Sequence, residues 1–177
     1  MFGCSPPKPI KHTQLGDCFE YLVYAGGVDY SGHAKVIYQS PDKKQTLIWP
    51  NVSEAYAEKK QAVFIAHVPD SSGKLDLRLF AVESQGPAVD ITNDVVTIWK
   101  KEMGREQERI GWYFIGFKAS PDFVVVTYRI FSGPEATFTI SISWQQIADL
   151  IKEIQKTGKK QKAWLGDKAW ECDYYTR

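Results

Sequence analysis

The chain has few residues that bind metals, no excess of charge of one sign and no long apolar run. Its 177 residues include three cysteines and three histidines. The cysteines are Cys4, Cys18 and Cys172, and their spacing lacks the local pairs that hold zinc in proteins. We therefore expect no bound metal and no cofactor.

The charge balance argues against a polyanionic partner. Lys and Arg together number 22 and Asp and Glu number 21, so the net charge is +1. Such a chain has no global attraction to duplex nucleic acid or to an anionic membrane. The lysines of residues 152–168 lie beside Trp164 and Trp170, a combination that can hold single-stranded nucleic acid. Solvated lysines at a helix end are the simpler interpretation, so we expect no nucleic-acid partner.

Membrane and enzyme signatures are also missing. No apolar run approaches the roughly 18–20 residues of a membrane-spanning helix. No charged start is followed by an apolar stretch, so we expect a cytoplasmic protein without a transmembrane segment. The sequence contains no G-x-x-x-x-G-K-[ST], G-x-G-x-x-G, G-x-S-x-G or H-E-x-x-H. These absences favour a non-catalytic protein, although they exclude only the enzyme families that carry those motifs.

The C-terminal half contains the clearest structural pattern. Residues 112–118, 123–131 and 136–143 are rich in β-branched and aromatic side chains, which predicts three consecutive strands. Ser143 and Gln146 then form a Ser-x-x-Gln capping box, and the following apolar stripe predicts an amphipathic helix over 144–156. Gly158 stands where a left-handed helix cap is expected.

Other segments predict further strands and two shorter helices. In residues 75–82, apolar side chains alternate with Asp76, Arg78 and Phe80, which is typical of a half-buried strand. We expect helices over 53–61, with Ser53 as cap, and over 95–103, with Asp94 as cap. The remaining predicted strands or extended segments are 18–24, 34–38 and 45–49 (the latter two as a hairpin), 62–68 and 163–175.

Consecutive strands with few helices between them indicate an α+β fold. We expect a mainly antiparallel β-sheet with the C-terminal amphipathic helix packed on one face. Residues 1–14, which include Pro6, Pro7 and Pro9, are expected to form a flexible or extended lead-in. Residues 15–177 are expected to form one domain, since the length suits a single core and no linker composition interrupts them.

The surplus of aromatic residues is the positive indication of function. Aromatic residues make up 14% of the chain, and Trp and Tyr anchor many protein interfaces. Trp164, Trp170, Tyr174 and Tyr175 are crowded into a short polar segment without core periodicity. We therefore predict a non-catalytic protein-binding module of the accessory or immunity type that binds another protein through these four residues.

Two resemblances keep other functions open. Residues 3–9, Gly-Cys-Ser-Pro-Pro-Lys-Pro, resemble the start of a mature bacterial lipoprotein, which implies lipidation at Cys4, a cell-envelope location and a scaffolding role. In that case Cys18 and Cys172 would remain as a possible disulfide pair. Gly16-Asp17, followed by His33 before a predicted strand, is similar to the circularly permuted papain-like hydrolases. That resemblance implies a cysteine-dependent hydrolase using Cys18 and His33.

Overall fold

The computed structural model describes residues 8–24, 35–39, 46–50, 52–69, 72–84, 86–131, 136–164 and 171–177. In chain order the elements are β1 (Lys11–Leu15), β2 (Phe19–Val23), β3 (Lys35–Gln39), β4 (Thr46–Pro50), β5 (Val52–Glu58), β6 (Gln61–Pro69), β7 (Leu75–Glu83), β8 (Ala88–Asp90), α1 (Thr92–Glu102), β9 (Trp112–Ala119), β10 (Phe123–Ile130), β11 (Ala136–Ser143), α2 (Trp144–Thr157), β12 (Lys159–Trp164) and β13 (Glu171–Thr176). The predicted α+β class is confirmed.

The described strands form three sheets. The first is a four-stranded meander, β1-β2-β3-β4, and the second has six strands in the order β12-β13-β8-β7-β6-β5. The third has three strands in the order β11-β10-β9. Neighbouring strands are antiparallel except β13 and β8, which run parallel. That parallel pair places the C-terminal strand β13 inside the six-stranded sheet, between β12 and β8.

The six-stranded sheet is buried on both faces because its strands carry apolar residues in both alternating sets. On β6, Val63 and Ile65 face the first core, which also contains side chains from both helices and from the three-stranded sheet. Phe64 and Ala66 face the second core, which the four-stranded sheet completes with Phe19, Ile37, Ile48 and Trp49. The molecule thus has three layers: helices with a small sheet, the central sheet, and the N-terminal sheet.

The six-stranded sheet is covered on its second face as well, and this explains where the prediction for residues 75–82 differs from the structure. Leu79, Phe80, Ala81 and Val82 are all buried, so the second half of β7 is covered on both sides. Only the first half, around Leu75 and Asp76, is exposed as expected for a half-buried strand. The covering layer is the four-stranded sheet, a long-range partner that local alternation does not reveal.

Helix α2 begins as predicted. The Ser143 side chain accepts a hydrogen bond from the Gln146 backbone N–H (3.2 Å), and the Gln146 side chain accepts one from the Ser143 backbone N–H (2.8 Å). The predicted left-handed cap at Gly158 is wrong, since its φ and ψ are −78° and 170°. A Cβ there would lie 2.5 Å from the Ile154 carbonyl oxygen and 2.8 Å from that of Thr176. Glycine is therefore required by close packing rather than by dihedral angle.

The predicted helix over 53–61 is also wrong. Those residues form most of β5, which pairs with β6 from Val52 to Glu58. Ala55 and Ala57 contact the second core, whereas Tyr56 packs against the first. This alternation across two cores overrides the weak local preference for a helix.

Helix α1 begins earlier in the chain than expected, and strand β1 lies within the expected lead-in. Asp94 does not cap α1, because the helix begins at Thr92 and Asp94 lies in its first turn. Strand β1 begins at Lys11, within the expected lead-in, and pairs with β2.

The predicted pairing of residues 34–38 with 45–49 is confirmed as β3 and β4, with Ile37 opposite Trp49. The turn between them lies outside the described residues.

Candidate functional site

A polar cleft of about 340 Å³ lies at one end of the six-stranded sheet. Strand pairing places it on the face that carries the second core, because Asp90 is opposite Phe80 and Tyr174 is opposite Ala88. Beyond these apolar residues, the same face becomes polar. The residues that line the polar cleft are Val68, Asp76, Arg78, Asp90, Asn93, Gln161, Tyr174 and Thr176.

Asp90 is the most buried charged group of the polar cleft, with 7% of its surface exposed. Its Oδ1 accepts a hydrogen bond from the Thr92 backbone N–H (2.9 Å) and lies 2.6 Å from Thr92 Oγ1. Thr92 Oγ1 in turn accepts a hydrogen bond from the Leu79 backbone N–H (2.9 Å). The first turn of α1 and strand β7 therefore hold this carboxylate rigidly.

The second carboxylate oxygen of Asp90, Oδ2, has more distant partners than Oδ1. Its nearest cation is Arg78, whose Nη1 is 3.7 Å from Asp90 Oδ2. The other terminal nitrogen of Arg78 lies 2.7 Å from Asp76 Oδ2, so Arg78 is paired more closely with Asp76. Burial raises the pKa of Asp90, and the neighbouring Asp76 adds to this, although Thr92 and Arg78 act in the opposite direction.

Of the predicted binding residues whose side chains the structure describes, Tyr174 lines the polar cleft and Tyr175 does not. The Tyr174 ring is half-buried and meets Trp49 and Phe80 edge-on, each at a centroid distance of 5.4 Å. Burial raises the pKa of Tyr174, with a further contribution from Asp90. The phenol therefore stays protonated and can act as a hydrogen-bond donor.

The other three predicted binding residues do not join Tyr174 in the described structure. Tyr175 lies on the opposite face of β13 and packs against the first core. Trp164 is in β12, but its side chain is outside the described part of the chain, as is all of Trp170. Their role in binding stays a prediction.

Arg177 forms ion pairs with both helices beside the polar cleft. Arg177 Nε lies 3.1 Å from Asp94 Oδ1 on α1, and its Nη2 lies 2.8 Å from Glu153 Oε2 on α2. Burial raises the pKa of Asp94, and Arg177 partly opposes that change. Asp94 thus has a close cationic partner, unlike Asp90.

A second candidate surface is the solvent-facing side of the three-stranded sheet. Its exposed large side chains include Tyr113 (37% exposed), Ile115 (41%) and Phe131 (66%). The Tyr113 and Phe131 rings are 4.9 Å apart, and the Arg129 guanidinium lies 5.9 Å from the Tyr113 ring centre. We call this surface the outer face and define it by Tyr113, Ile115, Lys118, Phe123, Val125, Thr127, Arg129 and Phe131.

Ile115 owes its exposure to an irregularity in β9. The pairing of β9 with β10 shifts between Thr127 and Tyr128, which face Gly116 and Phe114 respectively. Ile115 is therefore an extra residue in a β-bulge, and such bulges re-aim side chains. Its neighbours Phe114 and Phe117 remain buried in the first core.

A second cavity, of about 420 Å³, lies at the opposite end of β6 and β7. Its charged residues have mixed signs, and all are exposed or half-buried. Such groups are hydrated and need no ligand to balance them, in contrast to Asp90. The lining residues are Asp17, Glu58, Lys59, Lys60, Gln61, Glu83, Pro121, Trp144 and Gln145.

Cys18 lacks the features of an activated nucleophile. It is a free, half-buried thiol, and burial and Asp17 raise its pKa although Lys60 lowers it. A catalytic thiol requires a lowered pKa and a nearby base. His33 and Cys4 lie outside the described residues, so both the hydrolase and the lipoprotein hypotheses stay predictions.

Within the described residues, no group of three or more His, Cys, Asp or Glu side chains is arranged to hold a metal ion. Among the described helices, none has the length and apolar character to cross a membrane. Comparisons with protein families, curated proteins and solved structures find no match to this chain. Its function must therefore be inferred from its own residues.

The local sequence signal missed Arg78 and Asp90 as site residues. The alternation in residues 75–82 predicts Asp76 and Arg78 on the polar side of a strand, but it does not show what they face. Asp90 closes a three-residue strand that the sequence did not predict. The only local hint is its position two residues before Thr92 at the start of α1.

Proposed function

We propose that the chain is a non-catalytic protein-binding module and that it binds its partner through the outer face. The observation that carries this proposal is the cluster of Tyr113, Ile115 and Phe131, which are exposed although Phe114, Phe117, Val124, Val126 and Tyr128 of β9 and β10 pack into the first core. Tyr, Trp and Arg dominate the energetics of protein interfaces. Large exposed apolar patches on a folded protein often mark interaction sites.

The charges on the outer face specify the chemistry of the partner. Lys118 and Arg129 are the only charged residues in β9, β10 and β11, and none of these strands contains Asp or Glu. A partner surface that presents apolar side chains together with a carboxylate complements this arrangement. We therefore propose an acidic and apolar protein surface as the occupant.

The outer face is also ordered before binding. Arg129 is stacked over Tyr113, and Tyr113 contacts Phe131, so these side chains lose little freedom when a partner arrives. Preorganised side chains reduce the entropic cost of association. The rigid sheet beneath them, with eight paired residues between β10 and β11, holds their spacing constant.

Affinity capture followed by reconstitution tests this proposal. A protein captured by the wild-type chain would be purified, and its affinity for defined variants measured by calorimetry. Because Phe131 is mostly exposed, Phe131→Ser should leave folding intact and weaken binding by about tenfold or more. Arg129→Glu should weaken it further by placing a like charge opposite the partner's carboxylate.

Two matched variants locate the interface. Lys152→Ala changes an exposed position on α2, outside the outer face, and should leave the affinity unchanged. Tyr174→Ala tests the C-terminal surface predicted from the sequence. If Tyr174→Ala abolishes binding and Phe131→Ser does not, the outer face is not the interface and the proposal is wrong.

A further inference from the structure

We infer that the polar cleft is a second binding site, which takes a ligand with a cationic nitrogen, either a guanidinium or a primary ammonium group. This inference is independent of the proposed role of the outer face. It rests on the cavity beside Asp90, on the uneven pairing of the charges around it, and on the hydrogen-bonding groups at its rim.

The floor of the polar cleft holds a carboxylate with one unused oxygen. Asp90 is nearly buried, and Thr92 occupies its Oδ1 through two contacts. Among the described residues, no group donates a hydrogen bond to Oδ2, and the closest cation is Arg78 at 3.7 Å. Among the described side-chain atoms, Oδ2 is not one of the fully buried atoms that lack a hydrogen bond, so it is accessible from the polar cleft, where a ligand can donate to it.

The other charges near the polar cleft are already paired. Arg78 makes its close contact with Asp76 at 2.7 Å, and Arg177 is 3.1 Å from Asp94. These pairs leave Asp90 as the least compensated carboxylate in the region. A cation supplied by a ligand would compensate that charge and donate a hydrogen bond to Oδ2 at the same time.

The walls suit a cationic group as well. The half-buried Tyr174 ring is available for a cation–π contact with a guanidinium or ammonium group. The amides of Asn93 and Gln161, both exposed, lie at the rim and can accept hydrogen bonds from further N–H groups. The volume of about 340 Å³ falls within the range of about 300–1,000 Å³ typical of small-molecule sites.

An anionic ligand fits this arrangement less well. Among the described residues that line the polar cleft, Arg78 is the only cation, and Asp76 already engages it. An anion would have to displace Asp76 and would then lie near the buried Asp90 carboxylate. Repulsion between like charges inside a low-dielectric cleft is strong.

Calorimetric titration of the full chain with argininamide and with citrullinamide, both acetylated at the α-amino group, tests the inference. Acetylation removes the α-ammonium charge, so the two probes have nearly the same shape but only argininamide keeps a positive charge, on its guanidinium group. We expect saturable binding of argininamide only, and Asp90→Asn should weaken it by about tenfold or more. A capped Gly-Arg-Gly peptide distinguishes the two possible sources, since its binding indicates a protein side chain, whereas binding of acetylated argininamide alone indicates a small guanidinium compound.

A second variant keeps Asp90 in place. Asn93→Lys puts an ammonium group at the rim, where it can reach the Asp90 carboxylate and compete with the ligand. Thr97→Lys is the matched control, because it adds the same charge to an exposed position one turn further along α1. Asn93→Lys should abolish argininamide binding and Thr97→Lys should preserve it.

Three outcomes overturn the inference. The first is the absence of saturable binding for both cationic probes to the wild-type chain. The second is equal affinity for citrullinamide and argininamide, which removes the role of charge. The third is unchanged affinity in both Asp90→Asn and Asn93→Lys, which moves binding elsewhere on the chain. The affinity for a protein partner measured with Phe131→Ser does not enter any of these tests.

Discussion

At the scale of single residues, Asp90 combines burial with strong local hydrogen bonding. Loss of contact with water favours the protonated form and raises the pKa of Asp90, whereas hydrogen bonds from Thr92 and the charge of Arg78 favour the ionised form. Burial is the larger effect. The groups that face this carboxylate are Asp76 and Arg78 on β7, Thr92 and Asp94 on α1, and Tyr174 on β13.

The raised pKa of Asp90 predicts how stability depends on pH. Because the folded pKa lies above the unfolded value of about 3.9, the folded state binds the proton more tightly and gains stability as the pH falls through the folded pKa. Asp90→Asn removes this contribution but keeps an acceptor for Thr92. The free energy of unfolding of the wild type, minus that of Asp90→Asn, should therefore increase from neutral pH toward about pH 4.

Urea unfolding of both proteins at a series of pH values measures this difference. Asp94 also has a raised pKa, and the charge of Asp90 contributes to it, so Asp90→Asn lowers the pKa of Asp94 and changes the difference in the same direction. A difference that decreases toward acid pH would mean that Arg78 controls the ionisation of Asp90 more strongly than burial does.

At the scale of elements, α2 and β5 show two different origins of secondary structure. Helix α2 has its capping box and an apolar stripe of Trp144, Ile147, Ile151 and Ile154 within one short segment, so local sequence is sufficient. In β5 the local pattern is ambiguous, and pairing with β6 decides its conformation. Local sequence therefore predicts α2 correctly, whereas it fails for β5 because the conformation of β5 depends on its pairing with β6.

Removal of the α2 cap should lower stability by a defined amount. Ser143→Ala deletes the side-chain oxygen that accepts from the Gln146 N–H, and substitutions of this kind cost about 0.5–2 kcal/mol. Ser141→Ala, two residues earlier on β11, removes an exposed serine that caps nothing and should cost less than about 0.5 kcal/mol. Equal losses in chemical denaturation would show that the capping box contributes nothing to stability.

At the scale of the whole molecule, two cores share one sheet. Phe64 and Ile65 are neighbours on β6, yet Phe64 belongs to the second core and Ile65 to the first. Each layer outside the six-stranded sheet therefore depends on the same strands for support. The expectation of one domain over residues 15–177 can be tested through this shared sheet.

Both cores should unfold in one transition. Phe64→Ala should reduce the free energy of unfolding by about 3–5 kcal/mol and Ile65→Ala by about 2–5 kcal/mol, because both side chains are buried. In each variant, tryptophan fluorescence and far-ultraviolet circular dichroism should report the same denaturation midpoint. Separate transitions for the two signals, or a midpoint shift confined to one of them, would indicate two independent folding units.

Strong local patterns determined much of this fold. Strands β9, β10 and β11 and helix α2 follow from side-chain periodicity and from the Ser143 capping box, since each signal lies within about ten consecutive residues. The mainly antiparallel arrangement follows from the succession of strands. The surplus of aromatic residues indicated a binding protein, which stays a prediction.

Only the tertiary structure decided which faces are covered and which polar groups meet. Asp76, Asp90 and Tyr174 come from β7, β8 and β13, and the parallel pairing of β13 with β8 brings Tyr174 beside residues more than eighty positions earlier in the chain. Burial of Phe80 depends on a four-stranded sheet formed by residues 11–50. Such contacts depend on the order of strands that are distant in the chain, and local side-chain patterns do not determine that order.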